Sequence, residues 1–90
     1  MKALPTLDEL TLAGVKATAL LASVQSLIGA KCIAEVSEYA DLVVYARISE
    51  SAATAKLPAI VQFLSGHRLE CAFDAPREGV MRIEISTRFG

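Results

Sequence analysis

The strongest constraint on this chain is a match between its two halves. Leu20–Ser49 and Leu57–Ser86 align without gaps at a constant offset of 37 residues, and nine of the 30 positions are identical. The identities are Leu20/Leu57, Ala22/Ala59, Val24/Val61, Gln25/Gln62, Leu27/Leu64, Gly29/Gly66, Val43/Val80, Ile48/Ile85 and Ser49/Ser86. Composition alone would supply roughly two or three, so the pattern reads as an internal repeat. Two amphipathic units that merely share a pattern are the alternative.

Each unit reads as a helix followed by two strands. In the first, Thr6 and Glu9 have the spacing of a capping box, and Asp8 and Glu9 suit the positive end of a helix dipole. Leu10, Gly14, Ala17, Leu21, Val24 and Ile28 then recur every three or four residues. This predicts a helix over 7–28, stopped by Gly29 and about 33 Å long. Gly14 inside it would cost about 1 kcal/mol against Ala. Cys32, Ala34 and Val36 alternate with polar neighbours, as do Leu42, Val44, Ala46 and Ile48, with a polar turn over 37–41 between them. A second helix is expected over 56–65, with Pro58 in its first turn and Gly66 as its stop. Leu69, Cys71 and Phe73 form the next strand, then Met81, Ile83 and Ile85, joined by a turn over 75–79.

The expected architecture is α+β: a tandem αββ repeat (αββαββ) in one domain spanning 1–90, with units at about 6–50 and 51–88. Four antiparallel strands would form one sheet with both helices on one face. That arrangement resembles a circularly permuted ferredoxin-like fold. The second strand of each hairpin would be central and the first an edge. Leu42–Ile48 is the most apolar strand, as a central one should be. Charges on the other two discourage edge pairing.

Composition now decides which functions are open. Hydrophobic residues make up 53% of the 90, but 15 of them are alanine. The uncharged run between Lys16 and Lys31 is 14 residues, too short to cross a bilayer. Asp8 and Glu9 interrupt any signal-peptide core, so a cytoplasmic protein with reduced thiols is expected. A formal charge of −1, two cysteines and one histidine argue against a basic nucleic-acid binder, a disulfide scaffold and a zinc site. No metal and no cofactor is expected. Cys32 and Cys71 fall on opposite edges and read as core residues. His67 follows a helix stop, with no nucleophile or orienting carboxylate spaced to pair with it.

Two surfaces remain as candidates. Leu7, Leu10, Leu12 and Val15 lie on the overhang of the long first helix, without a counterpart in the second unit. Ile33, Val43, Tyr45, Arg47, Val80 and Arg82 point outward from the sheet with Glu35, Glu70, Asp74 and Glu84. One aromatic in a charge-balanced field is not a stacking platform for RNA. The mixture of apolar groups and charges suits a protein interface. The leading expectation is a non-enzymatic binding or regulatory module, a homodimer or a partner of another protein, acting through helix 1 or the sheet face. One competitor is a ligand sensor or small enzyme with a pocket at a dimer interface, using His67, Arg47, Tyr45, Arg82 and Glu84. Another is an inhibitor or accessory protein encoded by a mobile element.

Overall fold

A computed structural model describes residues 3–87. The expected end of the second unit, at about 88, lies outside the described residues. Two short strands, β1 (Thr11–Leu12) and β2 (Val15–Lys16), precede α1 (Ala17–Ile28). Then follow β3 (Cys32–Val36), β4 (Leu42–Arg47), α2 (Glu50–Gly66), β5 (Leu69–Arg77) and β6 (Val80–Thr87). The fold is α+β. β1 and β2 pair with each other, and the other four strands form an antiparallel sheet in the order β3-β4-β6-β5. The second strand of each hairpin is central, as the sequence predicts.

The first helix departs most from expectation. It begins at Ala17, and its 12 residues span about 18 Å. Thr6 and Glu9 do form their local motif. The Thr6 backbone N–H donates to Glu9 Oε1 at 2.9 Å, and Glu9 and Leu10 both donate to the Thr6 carbonyl. The turn ends there. Ala13 and Gly14 both adopt positive φ, 51° and 79°, the two-residue turn whose twist matches a tight hairpin. Gly14 is thus a hairpin glycine, and the periodicity across it belongs to two elements.

The second helix is longer than expected. Ser49 caps it, its Oγ accepting from the Ala52 backbone N–H at 3.3 Å, and Glu50 occupies the first turn. Pro58 therefore lies in the helix interior. Its ring cannot supply a bond to the carbonyl of Thr54. Both residues are exposed, which leaves that carbonyl to solvent.

Both helices pack on one face of the four-stranded sheet. Inward-pointing Leu42, Val44, Ile83 and Ile85 share a cluster with Leu20, Val24 and Ile28 of α1 and Ile60 and Leu64 of α2. No buried polar or charged residue interrupts that core among the described residues. Core positions of the strands keep the 37-residue offset: Cys32 answers Leu69, Val44 answers Met81 and Ala46 answers Ile83. The helix faces are offset by 36, with Ala17, Val24 and Ile28 answering Ala53, Ile60 and Leu64. Ungapped pairing of the helices would set buried Val24 beside Val61, which is 43% exposed. One extra residue between Leu64 and Leu69 absorbs the shift, where Arg68 takes a positive φ of 61°.

The hairpin assignment fixes the sign of one substitution. No atom lies within 4 Å of a Cβ built on Gly14, so only backbone strain opposes it. Gly14→Ala should lower stability by about 1–2 kcal/mol in urea unfolding. A continuous helix through residue 14 would instead gain about 1 kcal/mol.

Candidate functional site

The two candidate surfaces fare differently. Leu10 and Leu12 are each 4% exposed, and Leu7 and Val15 are half-buried against the same core. The expected overhang is therefore a cap. The turn before β1 and the β1–β2 hairpin pack their apolar side chains into the core cluster, and the Ala17 N–H is bonded to the Leu10 carbonyl at 2.9 Å. Folding back removes apolar surface from water without a second chain. Leu10 and Leu12 are not on the surface as the long-helix reading required.

The outer face of the sheet carries no packed element among the described residues. The strand registers set its side chains in rows. One central row runs Ile33, Tyr45, Arg82, Asp74 from β3 to β5. The next runs Glu35, Val43, Glu84, Ala72. Arg47, Val80 and Arg77 share a row at one end, with Lys31 one residue ahead of β3 beside them. At the other end Ser86 pairs with Glu70, and Asp41 precedes β4.

Hydrogen bonds tie the central rows together. The Arg82 guanidinium makes a bidentate ion pair with Asp74, its Nε donating to Oδ1 at 2.8 Å. Tyr45 Oη donates to Glu35 Oε1 at 3.0 Å. Asp74 first, then Tyr45, hold Arg82 firmly charged. Two side-chain links, Asp74–Arg82 and Tyr45–Glu35, thus lie across the four strands, with Arg82 and Tyr45 as register partners between them. These are exposed contacts of modest worth.

The apolar patch is smaller than alternation implied. Ile33 is 72% exposed, but Val43 is only 5% exposed and Val80 and Tyr45 are half-buried. Charge is what organises the face. Lys31, Arg47 and Arg77 gather at one end, where an open concavity of about 960 Å³ is lined also by Ile33, Tyr45, Val80 and one carboxylate, Glu78. None of the three cations has a carboxylate within ion-pair distance among the described residues. Glu35, Asp41, Glu70 and Glu84 gather toward the other end. Burial, then the charge of Glu84, pushes the Asp41 carboxyl above its ordinary range. Alternation places the site residues of β3, β4 and β6. It passes over Lys31, Asp41 and Arg77, whose signal is like charge at equivalent strand ends.

The remaining polar candidates do not converge. His67 closes α2, and its ring meets Phe63 edge-on at 4.9 Å in the helical layer. Tyr45, Arg47, Arg82 and Glu84 lie on the opposite face, so the five groups share no pocket. A smaller groove of about 480 Å³ runs between the start of α2 and the β5–β6 tip, lined by Ser49, Thr54, Phe73 and Arg77 among others. Cys32 is buried and Cys71 half-buried, both free. They lie on opposite edge strands, which are three strand spacings or about 14 Å apart, and four residues out of row with each other, too far to bond. Burial pushes both thiols up, away from the reactive thiolate. Among the described residues no cluster of His, Cys, Asp and Glu could hold a metal ion. No described helix is long and apolar enough to cross a membrane. Comparison of the chain with protein-family models, curated proteins and solved structures finds no match.

Asp41 gives a pH-dependent test of this charge pattern. A carboxyl raised in the folded state favours the protonated form, so its contribution to stability is lost as pH rises through the folded pKa. Asp41→Asn removes the ionised group. In dilute solution the variant should melt above the parent at pH 7. The gain should disappear below the ordinary aspartate pKa, about 3.9, where both side chains are neutral. An equal melting temperature at both pH values would remove the electrostatic reading.

Proposed function

We propose that this chain is a non-enzymatic protein-interaction module, and that the open face of its four-stranded sheet is the surface it presents to itself or to another protein. On this reading the fold is a tandem αββ repeat related to the ferredoxin-like arrangement by circular permutation. The observation that carries the proposal is the outer face itself. It combines a 72% exposed isoleucine, a half-buried tyrosine and cations that are unpaired among the described residues, while the core face is closed by helices and hairpin. Aromatic and arginine side chains on a charge-rimmed surface are what protein interfaces enrich. Burial of Leu10 and Leu12 favours the sheet over helix 1.

Photo-cross-linking tests the surface directly. A benzoylphenylalanine at position 33 should give adducts in native extract, each identified by mass spectrometry as one defined polypeptide. The same probe at position 61, on the exposed side of α2, should give none. Equal adducts from both positions, or adducts from 61 alone, would move the interface off the sheet.

A further inference from the structure

We propose that the occupant of the open sheet face is a second copy of this chain, stacked face to face with its strands reversed. This inference rests on the reading of that face as an interface and names its partner.

The argument is one of register and sign. Take a two-fold axis in the plane between two stacked sheets, perpendicular to the strands. Rotation about it lays β3 over β3, β4 over β4 and so on, but exchanges the two ends of every strand. The end row of Arg47 then meets the end row of Asp41 along the same strand. On β6, Arg82 meets Glu84. On β4, Tyr45 meets Val43. Each contact occurs twice, as isologous symmetry requires. The other in-plane two-fold, parallel to the strands, keeps the ends matched and crosses the strand order, so the basic row lies over itself, Lys31 above Arg77, and the acidic end meets the acidic end. The polarity of the face therefore selects one orientation and opposes the other.

Alternative occupants fit less of the face. A polyanion would suit Lys31, Arg47 and Arg77 but would meet Glu35, Asp41 and Glu84 within the same four strands. An acidic protein segment would do likewise. Only a surface that is itself basic at one end and acidic at the other answers both halves, and this chain supplies one. Aligned sheets pack about 10 Å apart with strands within about 30° of each other, so long charged side chains can bridge the gap.

Size sets the strength. Four strands and four outward rows make a patch of roughly 20 Å by 25 Å, or about 500 Å². That lies below the ~800 Å² per partner of a standard interface. The pair should therefore dissociate in about the micromolar range and weaken with salt, which screens its rim charges.

Sedimentation velocity of the full chain tests the orientation. At low salt the parent should shift from monomer to dimer between about 1 and 500 μM, the span expected of a weak interface. Arg47→Asp alone sets acid against acid at two places, and Asp41→Arg alone sets base against base. Each should weaken self-association at least about tenfold, as opposed like charges do. In an equimolar mixture of the two variants, the carboxylate introduced at position 47 of one chain lies over the guanidinium introduced at position 41 of the other. The unaltered Asp41 of the first chain lies over the unaltered Arg47 of the second. The mixture should therefore form a mixed dimer of near-parental strength. Circular dichroism and recovery in the mixture together show that both variants fold. A mixture that stays monomeric, or variants that dimerise like the parent, overturns the reversed stacking. A parent that is monomeric throughout overturns the second copy as occupant. In that case adducts from position 33 to a different polypeptide would still uphold the face as an interface, whereas their absence would remove that reading as well.

Discussion

Everything in this molecule hangs on the ladder between β4 and β6. Its six register pairs, from Leu42 with Ile85 to Arg47 with Val80, join two helix-hairpin units into one sheet. A single hairpin cannot bury its apolar face alone. Once the two central strands are paired, Leu42, Val44, Ala46, Met81, Ile83 and Ile85 form one floor, and each helix has a place to lie. The same pairing fixes the outer face. A slip of one residue would expose Val44 and Ile83 and bury Arg82 and Glu84, so the core holds the outward charges in their rows.

The strands were legible because their signal is short and strict. Alternation over five to nine residues names the core side without reference to the rest of the fold. Hence Ile33, Tyr45, Arg47 and Arg82 face outward as read. The helix starts were not legible. Thr6 and Glu9 satisfy each other's polar groups whether or not a helix follows, so the motif reports a turn and no more. Spacings of three and four occur by chance across a hairpin when both its strands contribute apolar residues. Gly14 was the discordant residue, costly inside a helix and natural at positive φ. Pro58 misled in the other direction. A proline is easiest to place at a helix start, but on an exposed helical side its missing donor costs less than a buried one would.

Exposure was less legible than direction. Val43 points out of the sheet yet is almost fully buried, in register with Glu35 and Glu84. Pattern gives the face of a side chain and says nothing of how far its neighbours lean over it. Leu10 and Leu12 show the complementary limit. Their burial depends on a turn and hairpin that fold them back into the core. What a one-dimensional reading recovers well is the polarity of the open face, since charges at matching strand ends need only register to be brought together.

The last stretch of β5 carries one more consequence. β5 is an edge strand of nine residues, long enough to template another chain, and its register with β6 shifts between Asp74 and Arg77. Pro76 sits within that irregularity and has no N–H to offer an incoming strand. The opposite edge, β3, is only five residues long. Sideways growth of the sheet, the route to fibrils, is therefore blunted at both margins. Where copies of this chain meet through a face, each meeting consumes that face, and the assembly closes at a finite number.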